Sequence, residues 1–98
     1  MNDQRAEALQ KLFRAIVGLQ SVEECGAFLE DLCTVRELED MARRLDAAEM
    51  LSKGEAYLTV AREVGISTAT ISRVSRALNY GSGGYKTVLD WMAGEAEA

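Results

Sequence analysis

The chain has 98 residues and a mass of 10.7 kDa, with 48% apolar and 28% charged residues, proportions that fit one soluble globular domain. It holds no histidine and two cysteines, which excludes Ser-His and Cys-His nucleophilic pairs and imidazole metal ligands. Its formal net charge is −5, from 11 Lys and Arg against 16 Asp and Glu, which taken as a whole argues against a nucleic-acid binder.

In chain order, Leu9, Leu12, Phe13, Ile16 and Leu19 recur at helical spacing and predict an amphipathic first helix over roughly 3–19. Ser21-Val22-Glu23-Glu24 matches a capping box. It predicts a short second helix with Cys25, Phe28, Leu29 and Leu32 on one side. Thr34-Val35-Arg36-Glu37 is a second capping box, opening a long third helix with Leu38, Met41, Leu45, Ala48 and Leu51 as its stripe. Lys53 and Gly54 end that helix, the glycine by its access to the left-handed conformation. Two shorter helices follow over about 57–64 and 67–78. Gly81-Ser82-Gly83-Gly84 is a loop. A last helix over about 85–93 carries Val88, Leu89 and Met92. Proline is absent, so nothing forces a break in a helix, and the expected class is all-α with about six helices.

Cys25 and Cys33 stand eight apart, which is neither a CxxC nor a zinc spacing. They read as small core residues in a reducing compartment. Ala15-Ile16-Val17-Gly18-Leu19 is the longest apolar run, far short of the roughly 20 residues that span a bilayer. Met1-Asn2-Asp3-Gln4-Arg5 is no signal peptide. A cytoplasmic protein with no membrane partner is expected. Surface scaling predicts about 5,500 Å² of exposed surface for a folded chain of this mass.

The informative stretch is 58–78. Val60, Ala61 and Val64 form the inner face of one helix, Gly65 sits at a sharp turn, Ile66 plugs the turn, and Ser67 caps the next helix. Ile71, Val74 and Leu78 return the apolar face. This is the pattern of a helix-turn-helix. The outward positions Thr68, Ala69, Thr70, Ser72, Arg73 and Arg76 are short side chains and guanidinium groups. Such residues let a helix sit deep in a major groove and bond bases and phosphates. Between Ala56 and Lys86 the charges are Arg62, Arg73, Arg76 and Lys86 against Glu63, a net of +3, leaving −8 on the rest of the chain. The expected DNA-binding residues are therefore Arg62, Ser67, Thr68, Ala69, Thr70, Ser72, Arg73, Arg76 and Lys86.

Residues 33–92 resemble the trp repressor superfamily, and within it the YerC/YecD-like branch of bacterial transcriptional regulators. The resemblance is carried by Leu32-Cys33-Thr34, Glu37-Leu38, Arg43-Arg44, Glu49-Met50-Leu51-Ser52-Lys53-Gly54, Ala69-Thr70-Ile71-Ser72-Arg73 and the loop from Leu78 to Tyr85. It implies an intertwined all-helical homodimer with a helix-turn-helix at each end. The chain then divides into N-terminal dimerisation helices (1–33), a long core helix (34–54), the helix-turn-helix (57–78) and a C-terminal helix (85–94), all in one domain of 1–98. The resemblance also implies a ligand pocket at Thr34, Arg44 and Arg73. Two pocket positions depart from the repressor pattern. Val74 stands where it has glycine, and Ala77 where it has serine, so an indole ring loses its space and an amino-acid ligand a polar contact. No cofactor is required; a small-molecule corepressor fits the resemblance, and the departures argue against L-tryptophan.

Competing readings stay open at several positions. Arg44 follows Asp40 at four-residue spacing, which also suits a surface ion pair. Glu37, Glu39, Asp40, Asp46 and Glu49 interleave with Arg36, Arg43 and Arg44, a solvated ion-paired face rather than a metal or acid-base site. Trp91 is expected in core or dimer packing. No nucleophile, base and orienting residue can be assembled, so no enzyme is expected. The function read from these residues is a sequence-specific DNA-binding transcriptional regulator, a repressor acting as a dimer on a pseudo-palindromic operator. The alternative is a helical dimer that binds protein, with a vestigial helix-turn-helix.

Overall fold

A computed structural model describes residues 3–97. Among them the chain forms six α-helices and no strand: α1 (Asp3–Val17), α2 (Val22–Leu32), α3 (Val35–Ser52), α4 (Tyr57–Val64), α5 (Thr68–Tyr80) and α6 (Gly84–Glu97). The chain divides into two compact units, Met1–Leu38 and Glu39–Ala98.

In the first unit, α1 stops at Val17, two residues before the predicted end. Gly18 N–H still reaches the Arg14 carbonyl at 3.1 Å, but Leu19 N–H turns to Ile16 in a tighter three-residue loop. Ser21 caps α2, accepting from Glu24 N–H at 3.0 Å. The return arm of this capping box slips by one residue: the Glu24 carboxylate accepts from Gln20 N–H at 3.3 Å. The second box closes reciprocally. Thr34 Oγ1 accepts from Glu37 N–H at 3.1 Å, and Thr34 N–H donates to the Glu37 carboxylate at 2.8 Å. Cys25 and Cys33 are free, partly buried thiols. Neither α1 nor α2 contains a buried residue, and the stripe residues Leu9, Phe13 and Ile16 stay 40%, 51% and 42% exposed.

The second unit holds the core. Ala47, Ala48, Val60 and Ile71 are wholly buried and Val74 nearly so. Met50, Leu51, Ala61, Val64, Ile66, Tyr85 and Leu89 pack around them. Gly54 ends α3 at a φ of +88°, as its position after Lys53 predicts. Helix α5 continues two residues past the predicted 78, because Gly81 N–H still finds the Ala77 carbonyl at 2.9 Å. A Cβ at position 81 would stand 2.4 Å from that carbonyl oxygen, so only glycine closes the helix this way. Helix α6 begins after Gly83, whose φ is +87°, and runs to Glu97 rather than about 93, since Gly94 alone does not break it. Trp91 is 63% exposed, which removes the core half of its sequence expectation.

The total exposed surface is 7747 Å², well above the roughly 5,500 Å² expected for a folded monomer of this mass. The excess follows from a core of five small or medium side chains and from two helices that bury none. Among the described residues, no helix is long and apolar enough to cross a membrane.

Gly81→Ala forces the Ala77 carbonyl aside, and Gly65→Ala imposes the left-handed conformation on a side chain. Each is expected to lower unfolding free energy by about 1–2 kcal/mol, read as a lower urea midpoint at unchanged slope. The backbone and hydroxyl bonds from Thr34 hold the Glu37 carboxyl below its ordinary value. A depressed carboxyl contributes stability above the ordinary value of about 4.3 and loses it as pH falls through the lowered one. Glu37→Gln is therefore expected to lower the melting temperature at neutral pH, with the gap to wild type closing in acid. A gap that is constant with pH would contradict the assignment.

Candidate nucleic-acid interface

The site is built on α4, the turn at Gly65 and α5. Glycine at a φ of +81° lets the chain reverse. The N–H groups of Gly65 and Ile66 both reach the Ala61 carbonyl, at 2.9 and 3.2 Å, so the end of α4 is satisfied without a side chain. Ile66 drops against the core. Ser67 then starts α5, its Oγ accepting from Thr70 N–H at 3.1 Å and lying 3.0 Å from Thr70 Oγ1. Val60 of α4 meets Ile71 and Val74 of α5 in the buried cluster with Ala47 and Ala48 of α3.

That packing decides which face of α5 is free. At about 100° per residue, Thr68, Ser72, Arg76, Ala69 and Arg73 fill one arc of about 140°, opposite the stripe of Ile71, Val74 and Leu78. All five arc residues are exposed. The structure thus brings these five expected residues onto one face. Ser67 and Thr70 sit at its start with hydroxyls already engaged in the cap, and Thr70 is half-buried. Arg62 is exposed on α4. Lys86 is exposed on α6 and lines a different cavity, of about 490 Å³, with Glu49, Lys53 and Asp90.

A second cavity of about 380 Å³ is lined by Asp40, Arg44, Ile66, Thr70 and Arg73. It joins two residues of the predicted pocket, Arg44 and Arg73. Thr34 is not among its lining residues, and its hydroxyl is used in the cap of α3. Asp40 and Thr70 were not legible as lining residues, although both stand out in sequence, Asp40 by its spacing to Arg44 and Thr70 on the outer face of α5. Val74, at the departing glycine position, is 2% exposed and belongs to the core.

The electrostatics favour an anion. No Asp or Glu occurs between Ile66 and Lys86. Asp40 pairs with Arg43 at 3.7 Å, both side chains nearly half exposed, so the ion pair sketched for Arg44 is formed by its neighbour instead. The i,i+3 spacing brings Arg43 back over Asp40, and the pair is worth at most about 0.5 kcal/mol. Among the described residues, no ion pair is formed by Arg44, Arg62, Arg73 or Arg76. Their guanidinium groups are available to phosphate, to a base edge or to a carboxylate ligand.

Known proteins share the sequence and fold of this chain. The family profile described as Trp repressor protein matches residues 7–93. The uncharacterized protein YerC of Bacillus subtilis (strain 168) is 48% identical over 86 residues, covering 88% of this chain and 83% of YerC. A TrpR-like protein from Eubacterium eligens ATCC 27750 superposes with a TM-score of 0.85 at 42% identity, over 89% of this chain and 90% of that one. A candidate Trp repressor from Staphylococcus aureus gives a TM-score of 0.85 at 44% identity, over 95% of each chain.

Removing the Ser67 hydroxyl leaves the Thr70 amide without its cap. Ser67→Ala is expected to destabilise the protein by about 1 kcal/mol, measured by urea unfolding, and to speed amide exchange at the start of α5 first. Unchanged exchange at Thr70 would refute the cap.

Proposed function

Since the chain belongs to the Trp repressor family, a family of DNA-binding regulators, we propose that it is a sequence-specific transcriptional repressor that reads a pseudo-palindromic operator as a homodimer. The observation that carries this reading is the exposed arc of Thr68, Ala69, Ser72, Arg73 and Arg76 on α5, held outward by the buried stripe behind it. Short side chains at the start of the arc allow close approach to base edges, and the two arginines reach guanine or phosphate. Arg62 and Lys86 steer toward the backbone, while Ser67 and Thr70 order the helix start. Thr70 also offers a hydroxyl to the groove.

Dimerisation is supported by the surface left uncovered. A second copy would cover Leu9, Phe13 and Ile16 in the first unit and Val88, Trp91 and Met92 in the second, which stay 37–63% exposed. A twofold axis would set two α5 helices about 34 Å apart, one helical turn of DNA. The cavity at Arg44 and Arg73 is proposed as a corepressor site for an anionic small molecule other than L-tryptophan. The two unpaired guanidinium groups support the charge of that ligand, and the burial of Val74 in the core weighs against an indole ring.

The test is selection of bound duplexes from a random DNA library at fixed salt, with and without a metabolite extract. A palindromic motif with half-sites one turn apart is expected; enrichment only with extract identifies a corepressor. No enrichment in either condition would turn the assignment toward a protein-binding module. With few cations in the chain, the salt dependence of operator binding is expected to be shallow, and a log–log slope near −10 would contradict the contact set. Arg73→Ala and Thr70→Ala are each expected to weaken operator binding by about 1–3 kcal/mol. Losses of only a few tenths from both would remove them as readers.

A further inference from the structure

We propose that Tyr57 is a positioning residue that sets the angle of α5 against α4 by clamping Ser75. The Tyr57 hydroxyl donates to Ser75 Oγ, joining the first residue of α4 to the middle of α5, 18 positions away in sequence. The other side-chain hydrogen bonds described join residues three or four apart, within a helix or its cap. Of the bonds named here between described residues, this one joins two helices. It is also backed from the next turn: the Asn79 side-chain amide donates to the Ser75 carbonyl at 2.9 Å and lies 3.4 Å from Ser75 Oγ. Ser75 is half-buried, and its hydroxyl is held from both sides.

The location gives the bond leverage. The turn at Gly65 and Ile66 is the closed end of the α4–α5 pair, where glycine permits the reversal. Tyr57 and Ser75 each lie about 12 Å along their helices from that turn, at about 1.5 Å per residue. They stand at the open end. A bond that holds those ends within about 0.5 Å limits the interhelical angle to about 2–3°, inside the roughly 10–20° that a recognition element tolerates. The buried contacts of Val60, Ile71 and Val74 hold the two helices together, but apolar packing alone is not directional. The phenol adds direction. Tyr57 is 45% exposed, so packing is not its sole contribution. Arg76 follows Ser75 directly, and Arg73 lies two residues before it, so the clamp bears on the two arginines of the exposed arc.

This inference rests on the operator-reading proposal, and the test separates the two. Wild type, Tyr57→Phe, Ser75→Ala and the double variant are compared as whole chains by fluorescence anisotropy, on the selected operator and on a random duplex. Amide hydrogen exchange is followed on the free proteins. Tyr57→Phe is expected to lower the operator-to-random affinity ratio about threefold to tenfold, the size of one net hydrogen bond. Random-duplex affinity and the salt slope should not move, while exchange should speed in the second half of α5. Ser75→Ala should behave alike, and the double variant should lose no more than either single one. An unchanged ratio in Tyr57→Phe, or losses that add in the double variant, overturns the clamp. If wild type itself does not distinguish operator from random DNA, the DNA reading fails. The clamp is then decided by exchange alone: faster exchange in both single variants upholds it and unchanged exchange overturns it.

Discussion

The second unit depends on the burial of two alanines. Ala47 and Ala48 on α3 have no exposed surface, and their single methyl groups leave room for Val60 of α4 and for Ile71 and Val74 of α5 to approach the same stretch of helix. Larger side chains there would lift α4 and α5 off α3, because close-packed interiors absorb added methylenes poorly. The cluster is small, so the glycine turn, the Ser67 cap and the fit of every side chain each hold a sizeable share of the unit's stability. The positive φ of Gly65 and the shape of this cluster together seat α5 in the second unit, and the exposed arc exists because the opposite stripe is committed to the alanines.

Charge is distributed with equal economy. The chain is acidic overall, yet no carboxylate lies between Ile66 and Lys86, and the arginines of α4 and α5 form no ion pair among the described residues. An arginine left unpaired on a carboxylate-rich chain stays fully available to an external anion, without first having to break an internal contact. The acidic remainder also repels a polyanion.

Much of this was legible from local chemistry. Thr34 and Glu37 close a reciprocal cap because capping needs only the spacing of four consecutive residues. Gly65 adopts a positive φ because the helical patterns on either side leave it as the one residue suited to reverse the chain. The helix-turn-helix and its five arc residues follow from the apolar period. What sequence could not give depends on distances between helices or on rotamers. Spacing alone did not distinguish Arg43 from Arg44 as the partner of Asp40. The slip of Glu24 from Ser21 to Gln20 is a rotamer choice. Trp91 reads as apolar payload, but periodicity does not say that the chain leaves it 63% exposed. The joining of Asp40 and Thr70 in one cavity, and of Tyr57 with Ser75, needs the angles between helices, which no one-dimensional pattern encodes.

The division of α5 into a buried stripe and an exposed arc has an evolutionary consequence. Stability is written on Ile71 and Val74, whereas Thr68, Ala69, Ser72, Arg73 and Arg76 face outward and support little of the fold. Substitutions on the arc can therefore accumulate at small energetic cost, since exposed positions away from caps and packing change stability by about 0.5 kcal/mol or less. Ser67 and Thr70 are the exceptions, because their hydroxyls also hold the helix start. A scaffold of this kind can change what the outer face of α5 meets while Ser67 and Thr70 keep the helix start in place.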